Sequence, residues 1–225
     1  MISALQQIGL LTTKDLRIEA RSRSTIGLVV VLGLLIVVVL ALGLGTQQKT
    51  TSHSAAAILW VAYLFGGALC FEKTMATERQ DDALAALLVA PVDRGAIFAA
   101  KLMANLLLIL ALALVVTPVA ILLFGFDLSA APVSFAIVML VSIIGFAAVG
   151  TLFAALVSST RLAGGLLAMV VLPISLPLVI TSTQVMIGLF RDGEPLSTTG
   201  LGILISFDLI FLVASWLLYE LVLEP

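Results

Sequence analysis

Six long apolar runs constrain the fold of this chain more than any other feature of its sequence. The first run, residues 26–45, contains no charged residue and is long enough to cross a bilayer core about 30 Å thick as a helix. The others cover residues 54–71, 102–124, 133–157, 162–187 and 201–221. Transmembrane β-strands would instead alternate polar and apolar residues over segments of about ten residues. The runs therefore predict an all-α integral membrane protein with six transmembrane helices.

Composition supports this prediction and excludes other classes of protein. Hydrophobic residues make up 62% of the chain and charged residues 11%, whereas soluble domains usually contain about 25% charged residues. The net charge of −2 gives no basic excess for a nucleic-acid partner. The single cysteine, Cys70, excludes an intrachain disulfide and Cys-based zinc or iron–sulfur sites. With no internal repeat or linker, residues 1–225 are expected to form one membrane domain.

The distribution of Lys and Arg predicts the orientation of the chain. Nine of the eleven lie in the N-terminal segment and in the loops after the second and fourth runs. The other two, Lys49 and Arg191, lie in loops on the opposite side. Because cytoplasmic loops carry the excess of positive charge, both termini are expected in the cytoplasm.

The N-terminal segment, residues 1–24, has an imperfect amphipathic pattern. A helix would place an apolar stripe on one face and basic residues on the other, which suits a helix lying in the membrane interface. The stripe is Leu5, Ile8, Leu11 and Ile18, and the basic residues are Lys14, Arg17 and Arg21. Asp15 and Glu19 fall near the apolar side. A plain charged tail is the alternative.

Residues 73–101 form the longest predicted cytoplasmic segment and carry a helix pattern of their own. Residues 77–80, TERQ, have the form of a capping box, which predicts that a helix begins there. Acidic residues suit its first turn, an apolar stripe follows, and Pro91 ends the helix before a new one. The acidic residues are Glu78, Asp81 and Asp82, and the stripe is Leu84, Leu87 and Leu88. The pattern fits either docking to a cytoplasmic partner or a solvated helical hairpin.

Catalytic motifs are missing from the sequence. It contains no G-x-x-x-x-G-K-[ST] phosphate-binding loop, so we expect no ATP hydrolysis by this chain. It also contains no H-E-x-x-H motif, no serine elbow and no visible nucleophile–base pair. The only histidine, His53, lies in the predicted loop between the first two spans, where a solvated role is favoured over haem ligation. A non-enzyme is expected.

A few residues inside or beside the spans stand out. Asp208 lies within the sixth run and must face protein or water. It fits either a substrate-path or proton-relay residue or a polar contact to Ser or Thr of another helix. Glu72 is expected to turn inward and pair with a cation such as Lys101. Pro173 and Pro177, four residues apart, are expected to kink or break the fifth span, which makes it a candidate pathway-lining or moving element.

Two segments of the sequence resemble a known family. The first contains FEK at residues 71–73, followed by Glu78, Gln80, Asp81, Leu84, Leu87, Pro91 and Lys101. The second contains RLAGG at residues 161–165 and LPISLPL at residues 172–178. With six spans in the same order, these segments resemble the haem exporter protein B (CcmB) family over nearly the whole chain.

This resemblance implies an ABC-2-type permease subunit in the bacterial inner membrane. Members work in cytochrome c maturation with a separate ATPase subunit (CcmA-like) and a haem-handling membrane subunit (CcmC-like), and two permeases would pair about a two-fold axis. The resemblance makes the segment within residues 73–101 a coupling helix held in a groove of the ATPase. The coupling residues would be Glu78, Gln80, Asp81, Asp82, Leu84, Leu87, Leu88 and Pro91.

We expect the chain to bind no cofactor directly. ATP would be bound by the partner ATPase, and haem would be handled by the CcmC-like subunit, because the chain has one loop histidine and no histidine in a span. Two alternatives remain open at this point. One is an ABC-2-type exporter of another substrate, and the other is a secondary transporter that uses Asp208 to couple an ion gradient.

Overall fold

A computed structural model of the chain shows seven α-helices and one short 3₁₀ turn among the residues that it describes. The structure describes residues 3–22, 24–44, 48–80, 94–125, 128–158, 165–190 and 193–222. The helices are α1 (Ala4–Ser22), α2 (Ser24–Leu44), α3 (Gln48–Gln80), α4 (Arg94–Phe124), α5 (Pro132–Ser158), α6 (Leu166–Phe190) and α7 (Thr198–Val222), with the 3₁₀ turn Leu128–Ala130 before α5. Within those ranges there is no β-strand.

Helices α2 to α7 are each long and apolar enough to cross a bilayer. The candidate spans are Ile26–Leu44, Ser54–Thr74, Arg94–Phe124, Pro132–Val157, Leu166–Phe190 and Thr198–Tyr219. They confirm the predicted all-α membrane fold with six spans. Their order along the chain places the end of α3 and the start of α4 at the same end of the bundle as α1, which we call the α1 end.

Helix α3, which precedes the predicted coupling segment, is longer than the sequence pattern indicated, whereas α4 begins at Arg94, where a new helix was predicted after Pro91. Helix α3 continues without a break to Gln80, so the prediction that a helix begins at residues 77–80 is wrong. The preceding residues, KTMA, include neither Gly nor Pro, and the hydrogen bonds of α3 therefore continue through them. Because α3 already begins at Gln48, His53 also lies in a helix rather than in the predicted loop.

Helix α6 is continuous through Pro173 and Pro177, so it does not break there, and a kink at the prolines stays a prediction. Both prolines lie on the exposed side of α6, whereas Val171 and Leu178 on its other side are buried in the bundle. Each proline removes one backbone hydrogen bond. Packing of the opposite face explains how the helix stays intact.

Helix α3 packs against four other helices, α2, α4, α5 and α6. Two glycines allow it to pack closely against α5. The ring of Phe146 lies over Gly67, and the ring of Phe71 lies over Gly150, so that a Cβ atom at either glycine would collide with the ring. The two rings are 5.2 Å apart in an edge-on arrangement, which is favourable for aromatic pairs. This reciprocal packing fixes α3 and α5 in one register.

Helix α1 packs across the end of the bundle, as its own short helix ahead of the first span. Leu11 of α1 contacts a small buried cluster that includes Ile97 and Phe98 of α4 and Tyr219 of α7. The predicted N-terminal helix is therefore present. Its placement in the membrane interface stays a prediction.

Candidate functional site

Polar contacts attach α1 to α4 at the α1 end of the bundle. Lys101 Nζ lies 2.7 Å from Asp15 Oδ2, and these side chains are 11% and 13% exposed. Lys14 Nζ also approaches Asp15, at 3.2 Å from Oδ1. Thr12 Oγ1 donates a hydrogen bond to the carbonyl of Ala100. The ion pair that the structure describes for Lys101 thus joins it to Asp15, and the predicted pairing with Glu72 is not the one observed.

The buried face of α1 is more polar than its sequence pattern indicated. Thr12 and Glu19 are buried, whereas Leu5 and Ile18 of the predicted apolar stripe are exposed. Lys101 explains the difference, because a buried cation on α4 draws the acidic side of α1 inward. The signal available in the sequence was Asp15 and Glu19, four residues apart on one side of the helix.

A three-residue polar cluster, which we call the Asn105 node, joins α3, α4 and α5. Asn105 Nδ2 donates to Thr151 Oγ1 over 2.9 Å, and Asn105 Oδ1 lies 3.2 Å from Thr74 Oγ1. Thr74 Oγ1 also lies 3.1 Å from the carbonyl of Phe71, so its single proton serves one acceptor at a time. Asn105 and Thr151 are buried. The node therefore ties α5 to both helices that border residues 81–93.

The sequence analysis did not find this node. Its signal is the spacing of Lys101 and Asn105, which lie one helical turn apart on the buried side of a mostly apolar helix. In a membrane, polar side chains between helices act as interhelical contacts because lipid offers no hydrogen bonds. Thr74 and Thr151 carried no separate signal, since isolated threonines are common in apolar helices.

The predicted coupling residues fall at the border of the described region. Glu78 and Gln80 belong to the last turn of α3, and Glu72 is half-buried further back in the same helix. The remaining predicted coupling residues lie outside the described residues: Asp81, Asp82, Leu84, Leu87, Leu88 and Pro91. Helices α3 and α4 therefore border this segment, and their contacts with each other are the described part of the site.

Asp208 lies inside the bundle, apart from the α1 end. It is 7% exposed, and its Oδ1 packs against Gly145 of α5. Its Oδ1 has no hydrogen-bond partner among the described residues, so the expected contact with a Ser or Thr is not observed at that atom. Two hydroxyls of the neighbouring helices, those of Ser142 and Ser182, are instead 2.6 Å from each other.

Comparison with known proteins adds a second line of information. The sequence profile described as CcmB protein matches residues 6–216, which is most of the chain. The chain belongs to the CcmB family. This CcmB-family chain is also 28% identical over 95 residues to heme exporter protein B of Rhodobacter capsulatus. That alignment covers 42% of this chain and 44% of the relative, so it spans less than half of the length of either protein.

Family membership and the six apolar helices together establish a multi-pass membrane protein. The family match begins within α1 and ends within α7, and it therefore covers the α1 end, the Asn105 node and Asp208 in one unit. The resemblance noted from the coupling segment and the twin prolines is confirmed at the level of the family.

Proposed function

We propose that this CcmB-family chain is the permease subunit of an ABC transporter that serves cytochrome c maturation by exporting haem or by driving haem release. The observation that carries the proposal is the family match across residues 6–216. The relative named heme exporter protein B supports the link to haem. The chain itself is non-catalytic, and a CcmA-like partner binds and hydrolyses ATP. The sequence, which lacks a phosphate-binding loop, agrees with that division of labour.

The coupling segment between α3 and α4 is the proposed contact with the ATPase. Its acidic and apolar residues, from Glu78 to Pro91, would sit in a groove of that partner. A push on this segment acts first on the two helices that border it. Because the Asn105 node joins these helices to α5, the movement would be passed to the fourth span rather than absorbed at the surface. In this mechanism the chain converts a conformational change outside the membrane into a movement within it.

Haem is handled mainly by a CcmC-like membrane partner in this proposal. Tyr63, a residue type that can ligate haem iron, is fully buried, and its hydroxyl group is hydrogen-bonded to Thr117. Cys70 is also buried in the core. These contacts support a role in which the chain drives the movement of haem but does not ligate it. Two copies paired about a two-fold axis in the inner membrane, with both termini in the cytoplasm, complete the proposal.

The first test is a haem stain of c-type cytochromes in a strain that lacks this gene. We expect covalently bound haem to be lost and to return with the intact gene. Reversing the charges of Glu78, Asp81 and Asp82 should prevent this rescue and weaken association with the ATPase. The matched control is Glu194→Lys, which reverses an exposed acidic residue in the loop before α7 and should rescue fully.

Two results would count against the proposal. Normal c-type cytochromes in the deletion strain, with no second copy of the gene, would leave an ABC exporter of another substrate as the better interpretation. Stoichiometric haem binding with axial-ligand spectra by the permease and ATPase alone would contradict the role assigned to the haem-handling partner.

A further inference from the structure

Asp208 occupies the middle of the sixth span and is enclosed by two neighbouring helices. It is the eleventh of the 22 residues of Thr198–Tyr219, which places it near the centre of the bilayer. A Cβ atom at Gly145 of α5 would collide with its Oδ1 and would also crowd Leu178 of α6. Glycine at this position therefore leaves the space that the carboxyl group fills.

Two polar atoms in this region lack hydrogen-bond partners among the described residues. One is Asp208 Oδ1, and the other is Oγ of Ser175, which is fully buried on α6 one turn from Leu178. Buried polar atoms are nearly always paired, and an ionised carboxylate without a partner is far more costly than a neutral one. The carboxyl group of Asp208 therefore needs either a nearby positive charge or a bound proton.

Among the residues that the structure describes, no side chain is placed to supply that positive charge. Helices α5 and α6 contain no Lys, Arg or His. Lys101 of α4 is already paired with Asp15 of α1. Arg94 of α4 lies one turn nearer the α1 end than Phe98, whose ring contacts Trp216, and Trp216 is eight residues, or about 12 Å, along α7 from Asp208. A hard metal cation would need about six oxygen ligands, and the described residues contain no cluster of acidic, His or Cys side chains that could hold a metal. A proton, in contrast to a metal cation, needs only one carboxylate oxygen to bind it.

We propose that Asp208 is a proton-binding site at the centre of the membrane domain and is protonated when α5, α6 and α7 pack as in this structure. When Asp208 takes up one proton from the aqueous phase, its carboxylate becomes a neutral carboxyl group. When it releases the proton, the carboxylate forms again. The neutral form can remain against Gly145. The ionised form would need water or a cation, so α7 would have to move away from α5 to admit one. Proton exchange is thereby linked to the separation of these two spans, which is a property outside the proposed haem function.

Infrared difference spectroscopy of the full chain in lipid vesicles tests the protonation state directly. The wild-type spectrum minus that of Asp208→Asn isolates the signal of this one carboxyl group. We expect, at neutral pH, the carbonyl-stretch band of a protonated carboxyl, and we expect it to shift in D₂O because the proton exchanges. The matched control is Glu194→Gln, which also replaces an acid by its amide. Since Glu194 is exposed, its difference spectrum should show carboxylate bands instead.

Each possible result decides the proposal. Carboxylate bands in the Asp208→Asn difference spectrum at neutral pH would overturn the assignment of a bound proton. A protonated band that does not shift in D₂O would overturn exchange and leave a fixed structural proton. Tryptophan fluorescence, to which the buried Trp60 contributes, checks that the variant keeps its fold. The experiment requires neither ATPase nor haem, so its outcome is separate from that of the cytochrome assay.

Discussion

The hydrogen bond between Asn105 and Thr151 permits a quantitative test of how α4 is held against α5. The two side chains are 4% and 3% exposed, and the donor–acceptor distance is 2.9 Å. Hydrogen bonds between transmembrane helices contribute about 0.6 kcal/mol on average and about 1.7 kcal/mol at most. Because this one is short and screened from water, we expect a coupling free energy of about 1–1.7 kcal/mol.

A double-mutant cycle with Asn105→Ala and Thr151→Val measures this coupling. The unfolding free energy of each variant is obtained by titration with SDS in mixed micelles, with fluorescence of buried Trp60 as the signal. The same cycle with Thr74→Val should give a smaller coupling, because Thr74 can donate to the carbonyl of Phe71 instead.

Met103→Ala is the control for the cycle, since Met103 lies on the exposed side of α4. It should change the unfolding free energy little in detergent. A coupling of zero between Asn105 and Thr151, or a larger coupling for Thr74 than for Thr151, would refute this description of the node. If the stability cycle behaves as expected but the Asn105→Ala chain still supports full cytochrome maturation, the node stabilises the bundle without transmitting movement.

Three further predictions use the same unfolding assay. Gly150→Val should lower the unfolding free energy by about 1–3 kcal/mol, because the new side chain overpacks the ring of Phe71; unchanged stability would contradict the close packing. Thr117→Val should cost more than Tyr63→Phe, since Thr117 gives its proton to the carbonyl of Ala113 and therefore accepts from Tyr63. The first change leaves the Tyr63 hydroxyl with only the weak sulfur acceptor of Met139, at 4.0 Å, and should cost about 1–3 kcal/mol, whereas the second should cost about 0.5–1.5 kcal/mol; the reverse order would show that Tyr63 is the acceptor. Gly165→Ala should cost about 1–2 kcal/mol, because Gly165 has φ of 78° and no crowding neighbour, so the cost is purely conformational; a stabilised variant would contradict that backbone geometry.

Apolar run length was sufficient to predict the six spans, because a bilayer imposes both a minimum length and a lack of charge on each helix. The ends of the helices were less predictable. The capping-box pattern of residues 77–80 indicates a helix start only when the preceding residues are not already helical, and α3 continues through them. The same limitation applies to His53, which the hydropathy of its surroundings placed in a loop.

The polar contacts between helices depended on which faces meet, and hydropathy does not contain that information. The sequence analysis paired Lys101 with Glu72, whereas in the structure it pairs with Asp15, which is much further away in sequence. Asn105 became significant only when Thr74 and Thr151 were brought to it from other helices. Asp208 was recognisable at once, since an ionisable residue in a span is unusual.

The two prolines of α6 remove backbone hydrogen bonds, an effect that the side chains of the helix do not show. Pro173 and Pro177 have no N–H group, so the carbonyls of Met169 and Pro173 receive no hydrogen bond from four residues further along the helix. Both prolines and Met169 lie on the exposed side of α6. Hydrocarbon chains cannot donate hydrogen bonds to such carbonyls, whereas water or a neighbouring protein can. This strip of α6 is therefore a less suitable surface for lipid than its apolar side chains alone would indicate.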